Sequence, residues 1–293
     1  MKYLVWRTNI IKLFIALFLF SSCEEVIRLD LEEAAPRLVI DAQVARYYVN
    51  GSATPQNSVR VILSTSTGFY NTQPYYVNDA EVKITSQNTD TTYDLALTAS
   101  QRGVYELLSD VDDFEILDNS RFLLEVTYNG ETYSSSESLN PSVPIVGLEQ
   151  VANSNLFDPD QIKLKVTYQD LVDQENFYIF RFGDSEFIPV EDRFVKEDTP
   201  FTFDYFLDDA PVAGEDLNFT IALWGSDLFF NNYLNSILTI NGEGRGSSPF
   251  DTQPFSVKGN IYNTTTSDRY PYGYFRVHDV YTQDITLVPN SEF

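Results

Sequence analysis

Phe122-Leu123-Leu124-Glu125-Val126-Thr127-Tyr128-Asn129-Gly130-Glu131-Thr132-Tyr133-Ser134 is the stretch whose reading decides the fold. Phe122, Leu124, Val126 and Tyr128 recur at every second position and so share one face of a strand. Asn129-Gly130 supplies a two-residue hairpin turn, because both positions tolerate positive φ. A hairpin with one dry face is the expectation, and the chain on either side repeats its rhythm.

Upstream, Leu38 to Val44 and Val59 to Ser64 are β-branched and apolar, and Val82 and Ile84 alternate with Glu81, Lys83 and Thr85. Tyr93 to Leu97 and Val104 to Leu108 complete a set of short strands separated by turn residues. Such a series over roughly 100 residues reads as an immunoglobulin-like or fibronectin-like β-sandwich spanning 37–140. Asn140-Pro141-Ser142-Val143-Pro144 reads as an extended linker, since proline cannot continue a ladder. Strand patterns resume at Gln161 to Tyr168, Asn176 to Phe182, Phe201 to Phe206 and Leu217 to Trp224. The fold class is therefore mainly β, with a second β-sandwich over 145–293 in tandem with the first.

One segment of that second half breaks the rhythm. Phe229, Phe230, Tyr233, Leu234, Ile237 and Leu238 recur at helical spacing, so an amphipathic helix is expected over 227–239, with Ser226 as its N-cap and Asp227 favouring its N-terminus. The loop 241–249 that follows is rich in glycine but has no Gly-Lys-Ser/Thr, which excludes a phosphate cradle of the P-loop kind.

Acidic side chains outnumber basic ones, 43 to 19, for a net charge of −24. Such a surface repels nucleic acid and anionic lipid, and it suits solubility, a basic partner or bound divalent cations. A single cysteine precludes an internal disulfide, and a single histidine removes His-cluster metal sites and makes a Ser-His-Asp hydrolase depend on His278 alone. His278 lies in an aromatic stretch where packing is the expected role.

The first residues carry a different message. Lys2 and Arg7 precede an apolar run, Ile10 to Phe20, broken only by Lys12, and Ser21-Ser22 leads into Cys23. The run is too short to span a bilayer and reads as a signal peptide over 1–22 with Cys23 as the lipidated residue. Acyl chains such as palmitate would then hold the protein on the outer membrane. Residues 23–36 form an acidic tether, in which Glu24 and Glu25 act either as an address for the cell surface or as ordinary solvated linker.

Several of these pieces also carry a resemblance. Pro249-Phe250, the run Gly259-Asn260-Ile261-x-Asn263, Gly273-x-Phe275, Leu38-Val39-Ile40-Asp41, Ala80-Glu81-Val82-Lys83-Ile84 and Gly103-Val104-Tyr105 resemble the Bacteroidota lipoprotein family known as domain of unknown function 4249. Ala42 departs from the pattern, which has Gly after the acidic residue. The resemblance covers nearly the whole chain beyond the signal and implies an outer-membrane lipoprotein, often associated with TonB-dependent transporters, without catalytic residues to carry over.

Candidate chemistry is sparse. Asp110, Asp112, Asp113, Glu115 and Asp118 crowd one loop with the hard oxygen ligands calcium takes, though without the glycine of a 12-residue calcium loop. Asp204, Asp208, Asp209, Glu215 and Asp216 form a looser cluster. Calcium apart, no cofactor is implied. Phe69, Tyr70, Tyr75 and Tyr76 bracket a polar loop and suit stacking on a sugar or anchoring a partner, or else packing beneath the loop. Tyr270, Tyr272 and Tyr274 lie two apart on one strand face. Asp90-Thr91-Thr92 matches a short acidic-Thr pattern for O-glycosylation at Thr91. The leading expectation is a non-enzymatic accessory subunit, ligand-capturing or gating, beside a TonB-dependent β-barrel, on the cell-surface or periplasmic face of the outer membrane. A surface adhesion or structural lipoprotein is the alternative, and a hydrolase with paired carboxylates the distant one.

Overall fold

The hairpin forms as its alternation dictates. Strands β7 (Arg121–Tyr128) and β8 (Glu131–Ser138) pair antiparallel with Tyr128 opposite Glu131. Asn129 and Gly130 take φ of 51° and 76°, the left-handed pair that a two-residue turn needs to match strand twist. Phe122, Leu124 and Val126 are completely buried, while Arg121 and Thr127 point to water.

The computed structural model describes residues 35–68, 71, 73–107, 114–153, 161–172, 175–191, 200–207, 217–241 and 257–289. The other elements in chain order are β1 (Leu38–Val49), β2 (Gln56–Thr65), β3 (Tyr75–Tyr76), β4 (Glu81–Ser86), β5 (Thr91–Leu97), β6 (Val104–Glu106), β9 (Ile145–Val151), β10 (Ile162–Tyr168), β11 (Phe177–Phe182), β12 (Glu186–Glu191), β13 (Phe201–Leu207), β14 (Leu217–Ser226), α1 (Leu228–Ile240), β15 (Tyr262–Asn263) and β16 (Tyr272–Leu287). The protein is mainly β, with one helix among the described residues. No helix of the described residues is long and apolar enough to cross a membrane.

One large mixed sheet runs β12-β11-β14-β16-β1-β2-β6-β5-β4-β7-β8-β15, with β3 on β2, and a small sheet runs β13-β10-β9. Strand β5 turns a corner in the large sheet: Leu95 pairs with Val82 of β4, whereas Ala96 and Leu97 pair with β6. The sheet thereby packs against itself, and Ile40, Val61 and Leu63 share a core with Ile84, Phe122 and Leu124. A second core lies between the sheets, where Ile162, Leu164 and Val166 meet Phe180, Phe182, Ile221 and Leu223. On strand β10, Lys163 and Lys165 alternate outward with those residues and pair with Asp204 (2.7 Å) and Glu149 (3.3 Å) on its two neighbours.

Strand β16 ties the cores together. Its beginning runs parallel to β1, Val39 opposite Tyr272, and its end runs antiparallel to β14, Leu217 opposite Leu287. Phe275 and Val277 belong to the first core and Leu287 to the second. Residues 257–287, which the strand pattern groups with 145–293, therefore hydrogen-bond along strands of 37–140 as well. The segment 140–144 is likewise built in: Asn140 N donates to Val277 O (2.9 Å), Asp279 N donates to Asn140 O (3.0 Å), and Val143 is buried in the second core.

Helix α1 covers the other face of the large sheet, where Phe230 packs with Ala45, Ile179, Trp224, Tyr274 and Val280. Its N-cap is Asp227, not Ser226. Asp227 has the extended backbone a cap requires and its Oδ1 accepts from Phe230 N at 2.7 Å, while Ser226 ends β14 and turns its hydroxyl to Asn231.

Candidate functional site

The site is built on the crossing of residues 257–263 over β16. Asn260 imitates a strand residue with its side chain: Oδ1 accepts from Phe275 N (2.9 Å) and Nδ2 donates to Phe275 O (2.7 Å). The same Nδ2 lies 2.7 Å from Glu137 Oε1, and Ser135 Oγ donates to Asn260 O (2.9 Å), so the segment is also pinned to β8. A Cβ on Gly259 would fall 1.6 Å from Gly273 O, and one on Gly273 (φ 104°) would fall 1.9 Å from Ile40 O. Three backbones thus meet where side chains have no room. Asn263 closes the segment as an Asx turn, its Oδ1 accepting from Thr265 N (3.0 Å) and Thr266 N (2.8 Å).

Helix α1 stands opposite this segment, and a groove of about 650 Å³ lies between them, lined by Glu137, Asp227, Phe229, Tyr233, Tyr262 and Tyr274 among others. Tyr262 also borders a second depression of about 420 Å³, lined by Ser134, Ser136, Glu137, Asn260 and Thr264. Phe229 and Tyr262 are 77% and 69% exposed, which leaves two large rings in water at the groove. Tyr274, also in the lining, is buried, 5.0 Å from Tyr233 and 4.8 Å from Phe230 between ring centroids. Lys258, also in the wall, sits 4.0 Å from the Tyr270 ring centroid.

Electrostatics follow from this placement. Burial pushes the Glu137 carboxyl above its ordinary range; the Asn260 amide opposes the rise, the Asp227 carboxylate adds to it and the Arg121 guanidinium offsets part of it. The Tyr233 hydroxyl is pushed up to about 12, first by burial and then by Asp41. His278 is buried with both ring nitrogens lacking a hydrogen-bond partner among the described residues, edge-on to Trp224 at 5.2 Å. Burial holds its pKa well below 6.5, with Arg276 adding to the effect, so it is a neutral packed ring.

Of the candidate residues singled out from sequence, Tyr274 lines the groove, and the other described ones lie elsewhere. Tyr75 and Tyr76 form the short β3 at the end of β2 and are exposed at 64% and 46%. Asp118 accepts from Arg46 Nη1 at 2.9 Å, and Arg46 makes a buried two-point pair with Asp279 (2.6 and 3.0 Å). Thr91 is exposed where β5 begins, directly after Asp90 with φ 54°. Tyr270 and Tyr272 meet edge-on at 5.8 Å while Tyr274 packs under α1, so the three tyrosines do not form one platform. Cys23, Phe69, Tyr70, Asp110, Asp112 and Asp113 lie outside the described residues, as do Asp208, Asp209, Glu215 and Asp216. Among the described residues no group of three or more His, Cys, Asp or Glu is placed to hold a metal ion.

Sequence reasoning sets Phe229 in the helix and Tyr262 inside the Gly-Asn-Ile-x-Asn run without assigning either to a site. The available signal is the Phe229-Phe230 step, because only one of two adjacent helical residues can face the sheet.

Fold and groove together define a mainly β protein whose helix walls an aromatic, carboxylate-bearing cleft. The chain belongs to the family described as Domain of unknown function (DUF4249), which it matches over residues 24–284. No curated protein matches it. Among solved structures it is similar to a DUF4785 family protein from Legionella pneumophila, at 14% identity and a TM-score of 0.23 over 66% of this chain and 53% of that one. The chain thus spans about half the length of that protein.

Proposed function

We propose that this protein is an outer-membrane lipoprotein, anchored through Cys23, that captures a small ligand in the groove between α1 and residues 257–263 and delivers it to a TonB-dependent transporter. The pair of exposed rings, Phe229 and Tyr262, carries this reading. Large apolar faces held in water at a polar cleft are spared burial for contact with something else, and rings offer that contact at little cost in conformational entropy. The anchor is supported by the short apolar run that ends in Ser21-Ser22-Cys23. A tether of about 13 residues reaches at most about 45 Å, which keeps the groove close to the membrane that a barrel would share.

Affinity purification of the tagged full chain from gently solubilised outer membrane is expected to bring down a large β-barrel transporter, and Cys23→Ser to release the protein from membranes. Repeated recovery of the full chain without a barrel would remove the transporter from this reading. A Cys23→Ser protein that stays wholly membrane-bound would remove the anchor.

A further inference from the structure

We infer that the groove is a site for a small molecule bearing an ammonium group, held between aromatic faces and the carboxyls of Glu137 and Asp227. This rests on the groove being a ligand site and adds the charge of the ligand.

Glu137 and Asp227 enter the same cavity from opposite walls, one from β8 and the other from the cap of α1. Among the described residues neither forms an ion pair; Glu137 accepts from Asn260 and Asp227 from Phe230 N. Each therefore keeps lone pairs for a donor, and their mutual repulsion, which on Glu137 outweighs the pull of Arg121, is relieved when a positive charge enters between them. The cation already in the wall, Lys258, is set over the Tyr270 ring. Aromatic rings supply the remaining surface, with Phe229 and Tyr262 at the rim and Tyr233 beside Tyr274 further in. Ring faces carry negative potential, and rings joined to carboxylates are the combination that recognises ammonium groups. An anionic ligand would meet both carboxyls and the field of a chain with net charge −24. A neutral polyol would use the hydrogen bonds but leave the repulsion between carboxyls in place.

The test is binding of benzylamine, benzyltrimethylammonium and benzyl alcohol to the full chain, followed by ligand-observed NMR. All three share one ring and differ in charge and in N–H donors. Both cations are expected to bind at least about tenfold more tightly than the alcohol, and Tyr262→Ala and Glu137→Gln each to weaken them about five- to tenfold. Tyr262 is mostly exposed and Gln is isosteric with Glu, so both variants keep the fold, which circular dichroism checks. A preference for the primary amine assigns the contact chiefly to the carboxyls, and equal affinities assign it chiefly to the rings; either supports the inference. Benzyl alcohol binding as tightly as the cations, and weakened by Tyr262→Ala, overturns the cation preference and leaves the groove as a site for neutral ligands. Cations that bind but ignore both substitutions sit elsewhere on the acidic surface and overturn the inference. Failure of all three probes to bind overturns it together with the reading of the groove.

Discussion

Gly130 and Gly273 both hold positive φ, at 76° and 104°, yet a methyl group on the first meets nothing within 4 Å and on the second falls 1.9 Å from Ile40 O. Gly130→Ala should therefore cost only the left-handed penalty, about 1–2 kcal/mol. Gly273→Ala must also push β16 off β1, and a loss above about 4 kcal/mol is expected. Urea midpoints of the two variants separate strain from crowding, and equal losses would show that the crossing of backbones is looser than described. Glu137 makes a second prediction at this scale. Its folded pKa is raised above the ordinary 4.5, so its contribution to stability is full below pH 4.5 and is lost as pH rises through the folded value. Glu137→Gln keeps an oxygen for Asn260 and removes the ionisation. Thermal melts of the variant should show a flatter rise in Tm on acidification from neutral pH than the parent shows.

On helix α1 the neighbours Phe229 and Phe230 report which face is used. Phe230 is 6% exposed in contact with Tyr274, and Phe230→Ala is expected to cost about 3–5 kcal/mol. Phe229→Ala should change stability by no more than about 0.5 kcal/mol while weakening groove ligands. A reversed order in chemical denaturation would mean the helix is rotated on its sheet. Elements of this kind were legible in the sequence wherever one face is dry and the other wet, as in β4, β7, β10 and α1. Strand β12 was not, because it is an edge carrying Pro189, and β9 was not, because only Gln150 of its seven residues is buried. The groove was illegible for another reason. Its carboxyls and rings come from β8, α1 with its cap, residues 257–262 and β16, and no local pattern links four segments that far apart in the chain.

At the scale of the molecule the decisive pairing is β1 with β16, which joins residues more than 230 positions apart and leaves no periodicity for a reader of sequence to find. It makes the two sandwiches interdependent. Residues 37–144 alone would lack Ile261, Phe275 and Val277, three side chains of the first core that are at most 4% exposed. Their loss removes about 1.5–3 kcal/mol each, comparable in sum to the whole stability of an ordinary domain of about 5–15 kcal/mol. Arg46 would at the same time lose Asp279, leaving a largely buried guanidinium with only the exposed Asp118 as its ion-pair partner. The fragment 37–144 is accordingly expected to give no cooperative thermal transition and a collapsed amide NMR spectrum, and addition of a peptide covering 257–289 to restore both in part. The chain from residue 23 onward should unfold in a single transition seen equally by fluorescence of Trp224, its one tryptophan, in the helix-covered cluster, and by far-ultraviolet dichroism, which reports all sheets. A fragment that melts cooperatively by itself, or two separated transitions in the longer chain, would mean that β16 joins two sandwiches that fold independently.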